Sequence, residues 1–220
     1  LGLGLMMAGR TDEAAESFRR AYALRLEVLG PDHPDVAKPL ANLAELERER
    51  GRLDEAASHA TKALAIRAKA HGEASVEAAT LRVSLARIRL LQNRVDEALA
   101  ELAAAVAAVE QALGAEHVAL VEPLVWLAEA ERRAGQGDEA RLHVERALAL
   151  GGAQGLEAWE LAYAHLVLAR VALARGETAR ARVEGEAARS GYATLSASRR
   201  RRVKNELDEL DAWWAAHGEP

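Results

Sequence analysis

The triplet Asp-Glu-Ala recurs at Asp12–Ala14, Asp54–Ala56, Asp96–Ala98 and Asp138–Ala140, and every step is 42 residues. A self-similar period of that length is the signature of a tandem array, so it constrains the fold before any single residue does. In such an array each unit touches only its neighbours and the core runs along the stack. The functional question therefore concerns the surface that the stack presents.

Composition narrows the possibilities. Half of the residues are hydrophobic but only 4% are aromatic, so Ala and Leu carry the apolar content and helices are expected to approach closely through small side chains. A net charge of −5 with 29% charged residues describes an ordinary aqueous surface. It does not suit a general nucleic-acid binder, which shows as a basic domain. Without cysteine, disulfides, Cys-ligated zinc and a Cys nucleophile are excluded. No apolar run approaches the roughly 20 residues needed to span a membrane. The opening Leu1-Gly-Leu-Gly-Leu-Met-Met is too short for a signal peptide and lacks its basic flank. A cytoplasmic location is expected, and the start without Met reads as a piece of something longer.

Residues 37–70 serve as the reference unit. Leu40, Leu43, Ala44 and Leu46 form an i, i+3, i+4 apolar face. Gly51 is expected to stop this first helix, and the same slot holds Gly9, Asn93, Gly135 and, after a one-residue slip, Gly176. Gly and Asn are the residues that tolerate the left-handed conformation at a helix C-terminus. Asp-Glu then opens the second helix, where acidic groups are expected to cap free amides and complement the helix dipole. Small residues recur where helices must meet: Gly2, Ala44, Ala86, Ala128 and Ala169 in one slot, and Ala14, Ala56, Ala98, Ala140 and Ala179 in another. Leu1, Leu43, Leu85, Leu127 and Leu168 fill the large slot before the first of these.

This alternation resembles the tetratricopeptide (TPR) repeat from residue 1 to about 190. The resemblance implies an all-α fold, a right-handed α-α superhelix. The ordinary TPR period is about 34 residues. The extra length here lies in linkers such as Leu29-Gly-Pro-Asp-His-Pro-Asp-Val-Ala37, which with Leu40-Ala-Asn-Leu-Ala44 is similar to the long-repeat TPRs of kinesin light chains and their bacterial relatives. The family's first-helix aromatic is missing, its slot holding Leu5, Glu47, Arg89, Glu131 and Ala172; its second-helix Phe survives as Phe18. Pro39 and Pro123, 84 residues apart, are each expected in a first helical turn. His33 pairs with His117, and His59 with His143, at the same spacing, as duplication of a two-repeat block would give.

The expected organisation is an array over residues 1–190, with a partial first repeat, three 42-residue steps and a divergent fifth repeat. A C-terminal capping helix and tail follow over residues 191–220. Ser190-Gly191 are expected to break the chain, and Glu177-Thr-Ala179 loses both the triplet and its spacing. Val203, Leu207, Leu210, Trp213 and Trp214 approximate helical spacing and would cover the last repeat. The tail Gly191-Tyr192 to Trp213-Trp214 is similar to the end of bacterial multidomain Ser/Thr protein kinases, which implies a recruiting or regulatory role. Leu1 aligns with mid-helix Leu43, so the N-terminal repeat is open; self-assembly through that end is the alternative function.

In a TPR stack the first helices line the concave face. The resemblance places Lys38, Ala41, Asn42, Glu45 and Arg48 there, then Thr80, Val83, Ser84 and Arg87. Glu122, Val125, Trp126, Glu129, Arg132 and Arg133 follow, and last Tyr163, Leu166, Val167 and Arg170. The candidate peptide-binding set is Lys38, Asn42, Glu45, Arg48, Ser84, Arg87, Trp126, Glu129, Arg133, Tyr163 and Arg170. Amides can pair a peptide backbone, Arg takes carboxylates in a fork, and rings fill pockets. Kinesin light chains repeat an Asn in this groove; here the slot reads Asn42, Ser84, Trp126 and Val167. The expected partner is a protein or peptide, with neither nucleic acid nor membrane.

The seven histidines form no His-x₃-His pair and have no acidic partners at ligand spacing. Gly2-Leu-Gly4 lacks the strand and the Lys-Ser/Thr of a phosphate loop. No catalytic motif is present, and neither an enzyme nor a cofactor is expected. Arg199–Arg202 is the one basic cluster; it is either an anionic-partner site or a solvated helix face paired by Glu206, Asp208 and Glu209.

Overall fold

A computed structural model describes residues 1–193, 195, 208, 211–213, 215 and 216. Arg199–Arg202 and most of the expected capping helix, including Val203, Leu207, Leu210 and Trp214, lie outside the described residues. The described chain forms two compact units, residues 1–115 and 116–220.

In the first unit, helices pair in chain order: α1 (Gly2–Met7) with α2 (Thr11–Leu29), α3 (Ala37–Glu49) with α4 (Leu53–His71), and α5 (Val76–Leu91) with α6 (Val95–Leu113). Successive pairs meet through α2 on α3 and α4 on α5. In the second unit α7 (Val121–Arg133) pairs with α8 (Gly137–Ala153), and α9 (Ala158–Ala174) with α10 (Thr178–Ala193). Short 3₁₀ turns at Pro34–Val36 and Val118–Leu120 lead into α3 and α7. His33 and His117 each accept the backbone N–H two residues on, at 3.1 Å, through Nδ1, so both act as caps. Pro39 and Pro123 are the third residues of their helices, where no internal hydrogen bond is lost.

Each first helix ends as its slot requires. Gly9, Gly51, Gly135 and Gly176 have φ of 74–80°, and Asn93 has φ 60°. At Gly51 the chain closes with Gly51 N–H on the Arg48 carbonyl (3.0 Å) and Arg52 N–H on the Glu47 carbonyl (2.9 Å), which satisfies carbonyls that the helix leaves open. Asn93 is the costly member of this set, because only Gly adopts the conformation freely. Asn93→Val is expected to lower stability by about 1 kcal/mol, read as a lower thermal midpoint by circular dichroism. An unchanged midpoint would show that the turn is not strained.

The Asp-Glu-Ala triplet works differently from a cap. The N-cap positions are Arg10, Arg52, Arg94 and Gln136, none with a side-chain cap bond; Asp and Glu sit inside the first turn. Their charge still faces the positive helix end. The Asp also reaches the next repeat. Arg50 donates to Asp12 at 2.7 Å, Gln92 to Asp54 at 2.7 Å, and Arg175 to Asp138. Each donor directly precedes the left-handed residue that ends its own first helix. The Ala of all four triplets is fully buried.

In the fifth repeat the buried small residue is Ala181, not Ala179, which is exposed. Ala181 stands five residues after Gly176, as Ala56 does after Gly51. The repeat is one residue short, and Ala179-Arg180 replaces Asp-Glu. Ser190-Gly191 does not break the chain either, since α10 runs through both.

Ala and Leu fill the cores. Ala44, Ala56, Ala60 and Ala63 pack with Leu40, Leu81, Leu85 and Ile88 in the first unit. Phe18 packs with Leu43 and Leu46, and a Cβ on Gly2 would overlap its ring, which explains Gly where the other repeats carry Ala. The slot lacking the family aromatic buries carboxylates instead. Glu47 meets Arg52 at 2.5 Å, and Glu131 meets His143 at 2.8 Å. Trp213 is buried in the second unit with Tyr192 and Leu195 against α9.

Candidate functional site

The candidate residues lie on α3 and α5 in the first unit and on α7 and α9 in the second. Helical spacing brings residues three and four apart onto one face, and two clusters follow from it.

In the first unit Arg48 donates twice to Glu45, at 2.9 and 2.5 Å. Burial alone would raise the Glu45 pKa, but the hydrogen bonds and charge of Arg48, with Arg87 behind them, hold it below the ordinary value. Glu49 is displaced upward by burial and by repulsion from Glu45. Ser84 spends its hydroxyl on the Thr80 carbonyl at 3.2 Å, the usual back-bond of a mid-helix Ser. Lys38 pairs with Asp35 at 2.8 Å and, with Ala41 and Thr80, lines a shallow recess of about 220 Å³. Asn42 is half-buried on the same helix.

In the second unit the arrangement is tighter. Glu129 is fully buried. Arg132 donates to both of its oxygens at 2.9 Å, Arg133 Nε donates to Oε1 at 2.6 Å, and Arg170 approaches Oε1 at 4.0 Å. Burial opposes ionisation of Glu129, yet the hydrogen bonds and charges of Arg132 and Arg133 outweigh it and keep its pKa low. Trp126 and Tyr163 stack tilted, with ring centroids 4.7 Å apart. Arg132, Arg133 and Arg170 line a recess of about 490 Å³ with Leu173, Ala174 and Trp213.

Four groove expectations are corrected. Val83, Val125, Leu166 and Val167 are core residues. The cause is clearest for α9, which is apolar on every side and is packed by α7, α8 and α10. The Asn ladder slot therefore ends at Trp126. Glu129 and Arg48 are buried ion-pair members rather than open groove charges. Two features lay outside the candidate set. The reversal from Glu49 to Arg133 was visible at the 84-residue relation. Trp213 as a recess wall had no periodic signal, because it follows the array.

No group of His, Asp and Glu among the described residues can hold a metal ion. No described helix is long and apolar enough to cross a membrane.

Tetratricopeptide repeat models match residues 1–69, and residues 79–104 and 162–184, together more than half of the chain. No curated protein matches it. The crystal structure of BtubC (BKLC) from P. vanneervenii is similar, with a TM-score of 0.74 at 25% identity over 88% of this chain and 77% of that one. A Podosopora anserina putative kinesin light chain with nearly identical TPR-like repeats gives 0.69 at 26% identity over 88% and 92%. TTC0263, a thermophilic TPR protein of Thermus thermophilus, shares the fold with a TM-score of 0.56 at 19% identity over 94% and 96%. The 42-residue period, the left-handed stops, the buried small slots and these matches agree: the chain belongs to the tetratricopeptide repeat family, an all-α solenoid of the long, kinesin-light-chain-like type.

Proposed function

We propose that this chain is a non-catalytic scaffold that binds an extended protein segment on the first-helix face of each unit. Lys38, Asn42, Glu45, Arg48, Ser84 and Arg87 serve the first unit, and Trp126, Glu129, Arg133, Tyr163 and Arg170 the second. TPR arrays are in general protein–protein interaction scaffolds. The observation that carries the reading is the Trp126–Tyr163 ring pair at 4.7 Å, on the same two helices as a preorganised Glu129–Arg132–Arg133 cluster. Aromatic and Arg side chains are the residue types that anchor protein interfaces. They stand at slots where the repeats differ, whereas the slots that repeat are spent on packing.

The test is selection of binding peptides from a random library, followed by affinity measurement on the full chain. Trp126→Ala combined with Arg87→Ala is expected to weaken the selected peptides about tenfold or more, with the circular dichroism spectrum unchanged. Equal affinity in the folded variant refutes the assignment of these faces. As part of a larger bacterial signalling protein, such as a Ser/Thr kinase, the chain would recruit substrates; the sequence upstream of Leu1 decides that context.

A further inference from the structure

The two units carry the same cluster with opposite electrical outcomes. Glu45 and Glu129 stand 84 residues apart in the sequence, as do Arg48 and Arg132. Arg87 and Arg170 each supply a second-helix-pair guanidinium to its own cluster. The difference lies in one slot, Glu49 in the first unit and Arg133 in the second. Glu45, Glu49, Arg48 and Arg87 balance formally. Glu129, Arg132, Arg133 and Arg170 leave an excess of positive charge.

Glu129 does more than offset one cation. It is fully buried and held ionised by its partners, so it fixes Arg132 through a two-point contact and Arg133 through a third bond. A guanidinium already held in place loses less freedom when it takes a ligand. Such forks match carboxylates. The recess that these arginines line is closed by Leu173, Ala174 and Trp213, an apolar wall beside a basic one.

We propose that the second unit's first-helix face selects an acidic protein segment, its carboxylates taken by Arg132, Arg133 and Arg170 and a neighbouring apolar side chain seated against Leu173 and Trp213. This rests on the peptide-binding reading above and specifies its chemistry. The first unit, balanced by Glu49, lacks the selectivity.

The probe is a labelled peptide in which Glu alternates with Leu, compared with its Gln counterpart, by fluorescence anisotropy on the full chain. The Glu peptide is expected to bind about tenfold or more tightly, and the advantage should shrink as salt rises. Arg133→Glu copies the first unit's slot and should abolish the preference; Arg133→Gln is a milder variant if the reversal disturbs folding. Glu49→Arg in the Arg133→Glu background should restore part of it. The proposal is overturned if both peptides bind alike, if the Arg133 variants keep the preference, or if single-stranded RNA displaces the Glu peptide more strongly than unlabelled Glu peptide does. Equal binding that Trp126→Ala abolishes would remove only the acidic selectivity. No binding of either peptide would remove the peptide-binding reading with it.

Discussion

Glu129→Ala is expected to destabilise the second unit by about 3 kcal/mol. The carboxylate is fully buried and accepts three hydrogen bonds from Arg132 and Arg133. Its removal leaves guanidiniums packed beside one another without the charge that held them. Breaking a buried pair from one side costs about 3–5 kcal/mol. The low end applies here, because the Arg132 and Arg133 side chains are each 27% exposed and water recovers part of the loss. Trp126, Trp159, Trp213 and Trp214 all fall within residues 116–220, so tryptophan emission reports on the second unit. Urea unfolding followed by that emission should show a midpoint about 2 M lower, for a slope of about 1.5 kcal/mol per molar. A midpoint unchanged within error would show that the cluster contributes no net stability.

The same substitution sets a pH dependence. The folded pKa of Glu129 lies below its ordinary value, because hydrogen bonds and charge from the two arginines outweigh the opposing effect of burial. A depressed carboxylate contributes its full stability above the unfolded pKa, near 4.3 for Glu, and loses it as pH falls toward the folded pKa. Above about pH 6 the gap between wild type and Glu129→Ala should therefore be constant. Below about pH 5 it should narrow. Glu45 has the same sign of shift but is present in both proteins, so the difference isolates Glu129.

What the sequence made legible was whatever repeats. The left-handed stops, the proline positions and the fully buried Ala of each triplet all follow from aligning slots, because a helix end or a close crossing imposes the same demand in every unit. Residues whose role depends on a neighbour across a helix interface were less legible. Asp12 and Asp54 read as caps, yet their side chains meet Arg50 and Gln92 of the following repeat. Val167 shares a slot with Asn42, but α9 is packed on all sides and buries it. The candidate charges were correctly placed on first helices, while the assembly of Glu129 with Arg132 and Arg133 depends on burial that periodicity does not report.

Gly191 shows the same limit with a measurable consequence. By composition Ser190-Gly191 reads as a break, but α10 continues to Ala193. Gly191 is there because α10 crosses α9 without room for a side chain. A Cβ would overlap the Ala158 carbonyl oxygen and stand 3.0 Å from the Ala162 Cβ. The first obstacle is backbone and the second a methyl on a rigid helix, so neither can swing aside and the helices must separate. Overpacking of this kind costs about 3 kcal/mol at its upper range. Replacing a helical Gly with Ala returns about 1 kcal/mol of propensity. Gly191→Ala is therefore expected to destabilise the second unit by about 2 kcal/mol net. Gly152→Ala in α8 is the control: nothing stands within 4 Å of its Cβ position, so the same exchange should be neutral or stabilising by up to about 0.5 kcal/mol. Opposite signs for these two substitutions, in urea unfolding read by tryptophan emission, would establish that the close crossing is the cause. Destabilisation by both would point instead to a general intolerance of the unit. Tyr192, Leu195 and Trp213 pack on the same face of α9, and Trp213 walls the basic recess. Separation of α9 from α10 should therefore also red-shift the emission of the folded Gly191→Ala protein and weaken the acidic peptide, while Gly152→Ala leaves both unchanged.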